Sequence, residues 1–83
     1  MSFYIIHEIK RLSAVGLGRI RIRADRPLSL KTASLLSANL ASLPGIRGVH
    51  VTPCLGSVLF FYADQDSRES ALQLLIAVDE GRG

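Results

Sequence analysis

The sequence predicts an α+β domain: one four-stranded antiparallel sheet with two helices on a single face. Three observations predict it. The hydrophobic period switches between two residues and the helical spacing along the chain. Turn-forming residues mark each switch. An apolar N-terminal run, Phe3 to Ile9, offers a strand to a sheet edge that the rest of the chain leaves open.

The elements follow in order. Leu17 to Ala24 alternates strictly, with Ile20 and Ile22 inward and Arg19, Arg21 and Arg23 outward. Asp25-Arg26-Pro27 breaks the strand. Ser29 is a candidate N-cap, and Ala33, Leu36, Leu40 and Leu43 then recur at helical spacing. Pro44-Gly45 stops that helix. Val49-His50-Val51 alternates again, with His50 outward. Pro53 to Gly56 reads as a turn, and Ser57 to Tyr62 as a central strand. Asp66 and Glu69 form a capping-box-like pair ahead of a second stripe, Ala71, Leu74, Leu75 and Val78. Gly81-Arg82-Gly83 reads as a frayed end.

From Leu17 onward the order is βαββα, a ferredoxin-like unit lacking its last strand. Phe3 to Ile9, joined through Lys10–Gly16, replaces that strand and gives ββαββα. A helix is the rival reading, since Ile5, Ile6, Ile9 and Leu12 also fit helical spacing. The 83 residues make a single domain, with its core in 17–78 and an N-terminal strand and connector in 1–16.

Composition bounds the function classes. At 48% hydrophobic and a net charge of +3, the chain has the makings of a compact core rather than a disordered segment. No run of about 18 apolar residues could span a membrane. One cysteine excludes an internal disulfide, and a cytoplasmic location is expected, with membrane association only through a partner or a longer chain. Basic residues crowd the first part: eight against two acidic in residues 1–50, but two against five in 51–83. Eight of the ten are arginine, which suits planar, bidentate or stacked contacts.

With both helices on one face, the other face of the sheet is open. Alternation places Arg19, Arg21, Arg23, His50, Leu59 and Phe61 there, if Val58, Phe60 and Tyr62 point inward. If Tyr4, Ile6 and Glu8 face the same way, Glu8 pairs with one of these arginines. Such a face is more apolar than solvation requires. Stacking of an arginine on Phe61 is one explanation, and a docked partner is the other.

Three segments then carry a resemblance: Gly18-Arg19-Ile20-Arg21-Ile22-Arg23, Leu43-Pro44-Gly45-Ile46-Arg47-Gly48-Val49 and Gly56-Ser57-Val58-Leu59-Phe60-Phe61-Tyr62. Together they resemble the heavy-metal-associated domain family, in its cysteine-poor branch related to the N-terminal domains of heavy-metal-transporting P-type ATPases. His7 also resembles that branch's segment before the strand. The resemblance covers about Leu17 to Val78. It implies the same ferredoxin-like fold and a place in transition-metal transport. Typical members hold a soft metal with two cysteines between the first strand and first helix. The matching segment here, Arg23 to Ser29, has no cysteine, and its arginines repel a cation. Cys54 and His50 are the only weak candidates for a metal, so no cofactor is expected beyond weak transition-metal binding.

No phosphate loop, no Ser/His/Asp set and no paired carboxylates point to catalysis, so an enzyme is not expected. The expected function is a non-catalytic accessory or regulatory domain that acts by protein contact through its open face. The expected partner is a protein such as the cytosolic part of a metal-transporting ATPase, with a homodimer as a variant. Nucleic acid is not the expected partner. Single-stranded RNA is kept as the alternative, because RNA-recognition modules use such a face and Phe60-Phe61-Tyr62 lies on the matching strand.

Overall fold

The computed structural model describes residues 2–12 and 16–81. Its elements are β1 (Phe3–Leu12), β2 (Leu17–Ala24), α1 (Leu30–Ala41), β3 (Ile46–Thr52), a 3-10 turn (Pro53–Leu55), β4 (Ser57–Tyr62) and α2 (Gln65–Gly81). The fold is α+β, ββαββα, as the sequence predicts. The sheet order is β1-β2-β4-β3, with every neighbouring pair antiparallel. The N-terminal run is therefore a strand and not a helix. It covers the β2 edge and extends three residues further than Ile9, through Leu12. Residues 13–15 of the expected connector, and Arg82 and Gly83 of the expected frayed end, lie outside the described residues.

Burial follows the two periods. Ile20, Ile22, Val58 and Phe60 are buried from β2 and β4, and meet Leu36 and Leu40 of α1 and Ala71 and Leu75 of α2 in one cluster. Both helices therefore lie on the same side of the sheet. Burying each of the larger of these side chains, the Ile, Val, Phe and Leu, contributes roughly 1.5–3 kcal/mol against its exposure. Ser29 caps α1: its side chain accepts the Thr32 N–H at 3.0 Å.

The cap of α2 differs from the expected Asp66–Glu69 pair. It sits two residues earlier, on Asp64 and Ser67. Asp64 Oδ1 accepts the Ser67 N–H at 2.9 Å, and Ser67 Oγ accepts the Asp64 N–H at 3.1 Å. These two bonds satisfy two backbone donors reciprocally. Glu69 instead accepts from the Gln65 side chain at 2.9 Å.

Three register shifts interrupt the strands, and two of them set which way the open-face side chains point. Between β1 and β2 the register shifts at Ile6, since Ile5 opposes Ile22 and His7 opposes Arg21. Between β3 and β4 it shifts at Gly48–Val49, since Arg47 opposes Phe61 and His50 opposes Leu59. An extra residue in a strand turns everything beyond it to the other face. Gly48 has φ +54°, and a Cβ there would come within 2.9 Å of the Phe61 ring. Glycine thus allows both the bulge and the close approach.

Candidate binding face and its charged counterpart

Opposed residues in antiparallel strands share a face. On the side away from the helices, the registers assemble three rows across all four strands. One row is Ile9, Arg19, Phe61 and Arg47. The next is His7, Arg21, Leu59 and His50. The third is Tyr4, Arg23, Ser57 and Thr52. The six residues expected on this face, Arg19, Arg21, Arg23, His50, Leu59 and Phe61, are all in these rows. Arg21, Arg23, Arg47, His7 and His50 are exposed, whereas Arg19, Leu59 and Phe61 are half-buried.

The rows add residues that alternation alone missed. Counting back from His50 in twos puts Arg47 inward, but the Gly48–Val49 bulge turns it outward, opposite Phe61. The Ile6 bulge does the same for His7. Phe61 therefore stands between two arginines, Arg19 on one strand and Arg47 on the other. None of the row positions is a carboxylate. No ion pair among the described residues involves Arg19, Arg21, Arg23 or Arg47.

Glu8 is corrected by the same bulge. It opposes Ile20 and so faces the helices, not the arginine face. Its arginine is Arg68 of α2, whose Nε lies 2.7 Å from Glu8 Oε2 and whose Nη2 lies 3.0 Å from Oε1. The Tyr62 hydroxyl donates to the same carboxylate at 2.5 Å. Both ionic side chains are nearly covered, at 15% and 12% exposure. The Arg68 hydrogen bonds, against the opposing pull of burial, hold the Glu8 carboxyl down at about 2. Burial, with Glu8 beside it, pushes the Tyr62 hydroxyl up. Gly18 makes room for this cluster, because any Cβ there would run into the Tyr62 ring.

Cys54 is exposed in the 3-10 turn beyond the end of β3, and His50 projects from the open face. The turn does lie against the loop after β2: Leu28 N–H donates to Pro53 O, and Ala24 N–H to Gly56 O. Among the described residues, no group of three His, Cys, Asp or Glu side chains converges as a metal site would require. Among the described residues, no helix is long and apolar enough to cross a membrane.

Fold and face together describe a small α+β domain with one covered and one open, basic side. In comparisons with known proteins, no family model matches the chain, and no curated protein or solved structure matches it either.

Proposed function

We propose that this is a non-catalytic binding domain whose open sheet face docks an acidic protein surface. One observation carries the reading: the three rows hold four arginines and two histidines and not one carboxylate. A surface of single-sign charge, on a rigid sheet, steers an oppositely charged partner and fixes its orientation. Phe61 and Leu59 add apolar contact area at its centre. Face-to-face pairing of two copies would oppose arginines to arginines, so a homodimer through this face is disfavoured.

The resemblance to heavy-metal-associated domains narrows the partner to the transition-metal transport machinery, and the cytosolic part of a metal-transporting ATPase is the candidate. In this role the domain regulates by contact and carries no metal of its own, in keeping with the cysteine-free segment Arg23 to Ser29. The place of Phe61 between two arginines favours a second reading, in which an unpaired base stacks on the ring and phosphates meet the guanidinium groups.

Titration of the domain with that cytosolic part, with polyglutamate and with single-stranded polyuridine decides between them. The first reading expects the ATPase part and polyglutamate to bind and Arg19→Glu/Arg47→Glu to abolish binding. Tight, salt-dependent binding of polyuridine alone would replace it with the second. Binding of the ATPase part that survives the double charge reversal would show that the face is not the docking site.

A further inference from the structure

β1 is the first strand in the sheet order, so its outer edge carries backbone groups that no described strand pairs. Such an edge is a template for an added strand, and folded proteins usually blunt it. Here the blunting is partial. The register shifts at Ile6 and beyond Ile9 leave two regular runs, Phe3–Ile5 and His7–Ile9. Beside the first run, on the helix side, lies a cavity of about 250 Å³ lined by Phe3, Tyr4, Ile5, Ile22, Leu72, Leu75 and Ile76. Ile5 and Ile76 in this lining remain 50% and 51% exposed. Tyr4, 52% exposed, heads the row that continues to Arg23 on the open side.

We propose that the Phe3–Ile5 edge takes a short extended segment of a partner protein as a fifth strand, with alternating apolar and acidic residues. The pattern follows from the geometry of an added strand. Its side chains alternate between the two faces of the sheet. Those on the helix side reach the apolar cavity between β1 and α2. Those on the open side continue the Tyr4 row, about 10 Å from Arg23 at the usual strand spacing, and within the field of the arginines behind it. The strand hydrogen bonds supply affinity and the alternate side chains supply selectivity.

A second copy of this chain fits the edge less well. Two β1 edges paired antiparallel would form one continuous sheet with both arginine faces on the same side. His7, Lys10 and Arg11 of each copy would also sit at the seam, adding like charge. An acidic segment meets neither obstacle. The acidic half of the proposal rests on the reading of the basic face given above; the edge half stands on the cavity and the unpaired strand.

The test uses the full chain and three short fluorescein-labelled synthetic peptides, followed by fluorescence anisotropy. One peptide alternates valine and glutamate. One alternates valine and lysine. The third is the valine–glutamate peptide with alternate backbone nitrogens methylated, so that it cannot pair with an edge. The expected result is binding of the first peptide, weakened at least about tenfold, or roughly 1.4 kcal/mol, in each of the other two. Ile5→Ser and Ile76→Ser, at half-exposed positions, should weaken it similarly while circular dichroism stays unchanged. Equal binding of the methylated peptide overturns the edge proposal and leaves the basic-face reading standing. Equal binding of the lysine peptide overturns the acidic partner, and that reading with it, although the edge still binds. Failure of all three peptides to bind, or a concentration-dependent dimer that excludes them, overturns the proposal outright.

Discussion

On the helix side of the sheet, Glu8 is enclosed by the Arg68 guanidinium at 2.7 Å and the Tyr62 hydroxyl at 2.5 Å. On the open side, one residue earlier in the same strand, His7 begins a row that runs through Arg21 to His50 with no carboxylate in it. The difference has a physical cause. A charge that folding removes from water must be paired, or it costs several kcal/mol. A charge left in water needs no partner inside the molecule and keeps its field for one outside. Arg68 is accordingly part of what holds α2 to β1, whereas Arg19, Arg21, Arg23 and Arg47 remain available for binding. Sequence composition counts all five alike.

Loss of β1 breaks the covered side altogether. Deleting residues 1–9 removes Glu8 and leaves the β2 edge bare, with Ile20 and Ile22 behind it. The truncated chain should lose cooperative unfolding, or aggregate, in a thermal melt. A truncated chain that melts at the same temperature as the whole would mean that β1 contributes nothing to the fold.

Next comes the charge cluster itself. Arg68→Ala strands the Glu8 carboxylate under cover, and should cost about 3–5 kcal/mol in urea unfolding. The same pair makes stability depend on acid. Glu8 has a folded pKa lowered to about 2 from an ordinary 4.5. Its contribution is therefore complete above about pH 4.5 and is lost as the pH falls toward 2. Glu8→Gln should flatten that acid limb, while Asp64, whose carboxyl is also held down by its Ser67 hydrogen bonds, adds a slope of the same sign. A Glu8→Gln variant with an unchanged acid limb would show that other carboxylates cause it.

The two sides also differ in how far they were legible. The regular parts were open to reading: the alternation of Leu17 to Ala24 puts Ile20 and Ile22 in the core, and Ser29 announces α1. The two register shifts that turn His7 and Arg47 outward were hidden, for different reasons. Gly48 is a bulge signal, since glycine in a strand often marks one, and attention to it would have placed Arg47 on the open face. Ile6 gives no such signal, because a β-branched residue is at home in a regular strand. The orientation of His7 and Glu8 therefore needed the three-dimensional register. The Glu8–Arg68 pair joins residues 60 positions apart, and no local pattern announces it. Only Gly18 hints at the crowding there, and only once Tyr62 is known to lie over it.

Two adjacent aromatics on β4 differ in the same way as Glu8 and His7. Phe60 is fully buried, while Phe61 is half-buried on the open face against Gly48. Phe60→Ala should cost about 3–5 kcal/mol. Phe61→Ser should cost roughly 1 kcal/mol, since only part of the ring leaves a contact, yet it should weaken partner binding markedly. Equal losses of melting temperature in the two variants would contradict the assignment of the strand's faces.

The smallest effect on stability is expected where the effect on binding is large. Arg19→Ser/Arg47→Ser removes both arginines that flank Phe61. Neither makes an ion pair among the described residues, and like charges on one face repel rather than support each other. Surface substitutions of this kind usually change stability by less than about 0.5 kcal/mol, and relief of repulsion sets the sign here toward neutral or slightly stabilising. Binding to an acidic partner should fall at least about tenfold, and its salt dependence should become shallower, because fewer charges are screened. A double variant that melts several degrees lower would mean that these arginines are structural after all, held by contacts of the Arg68 kind. The distinction between paired and available charge would then fail at the very residues on which the proposed function rests.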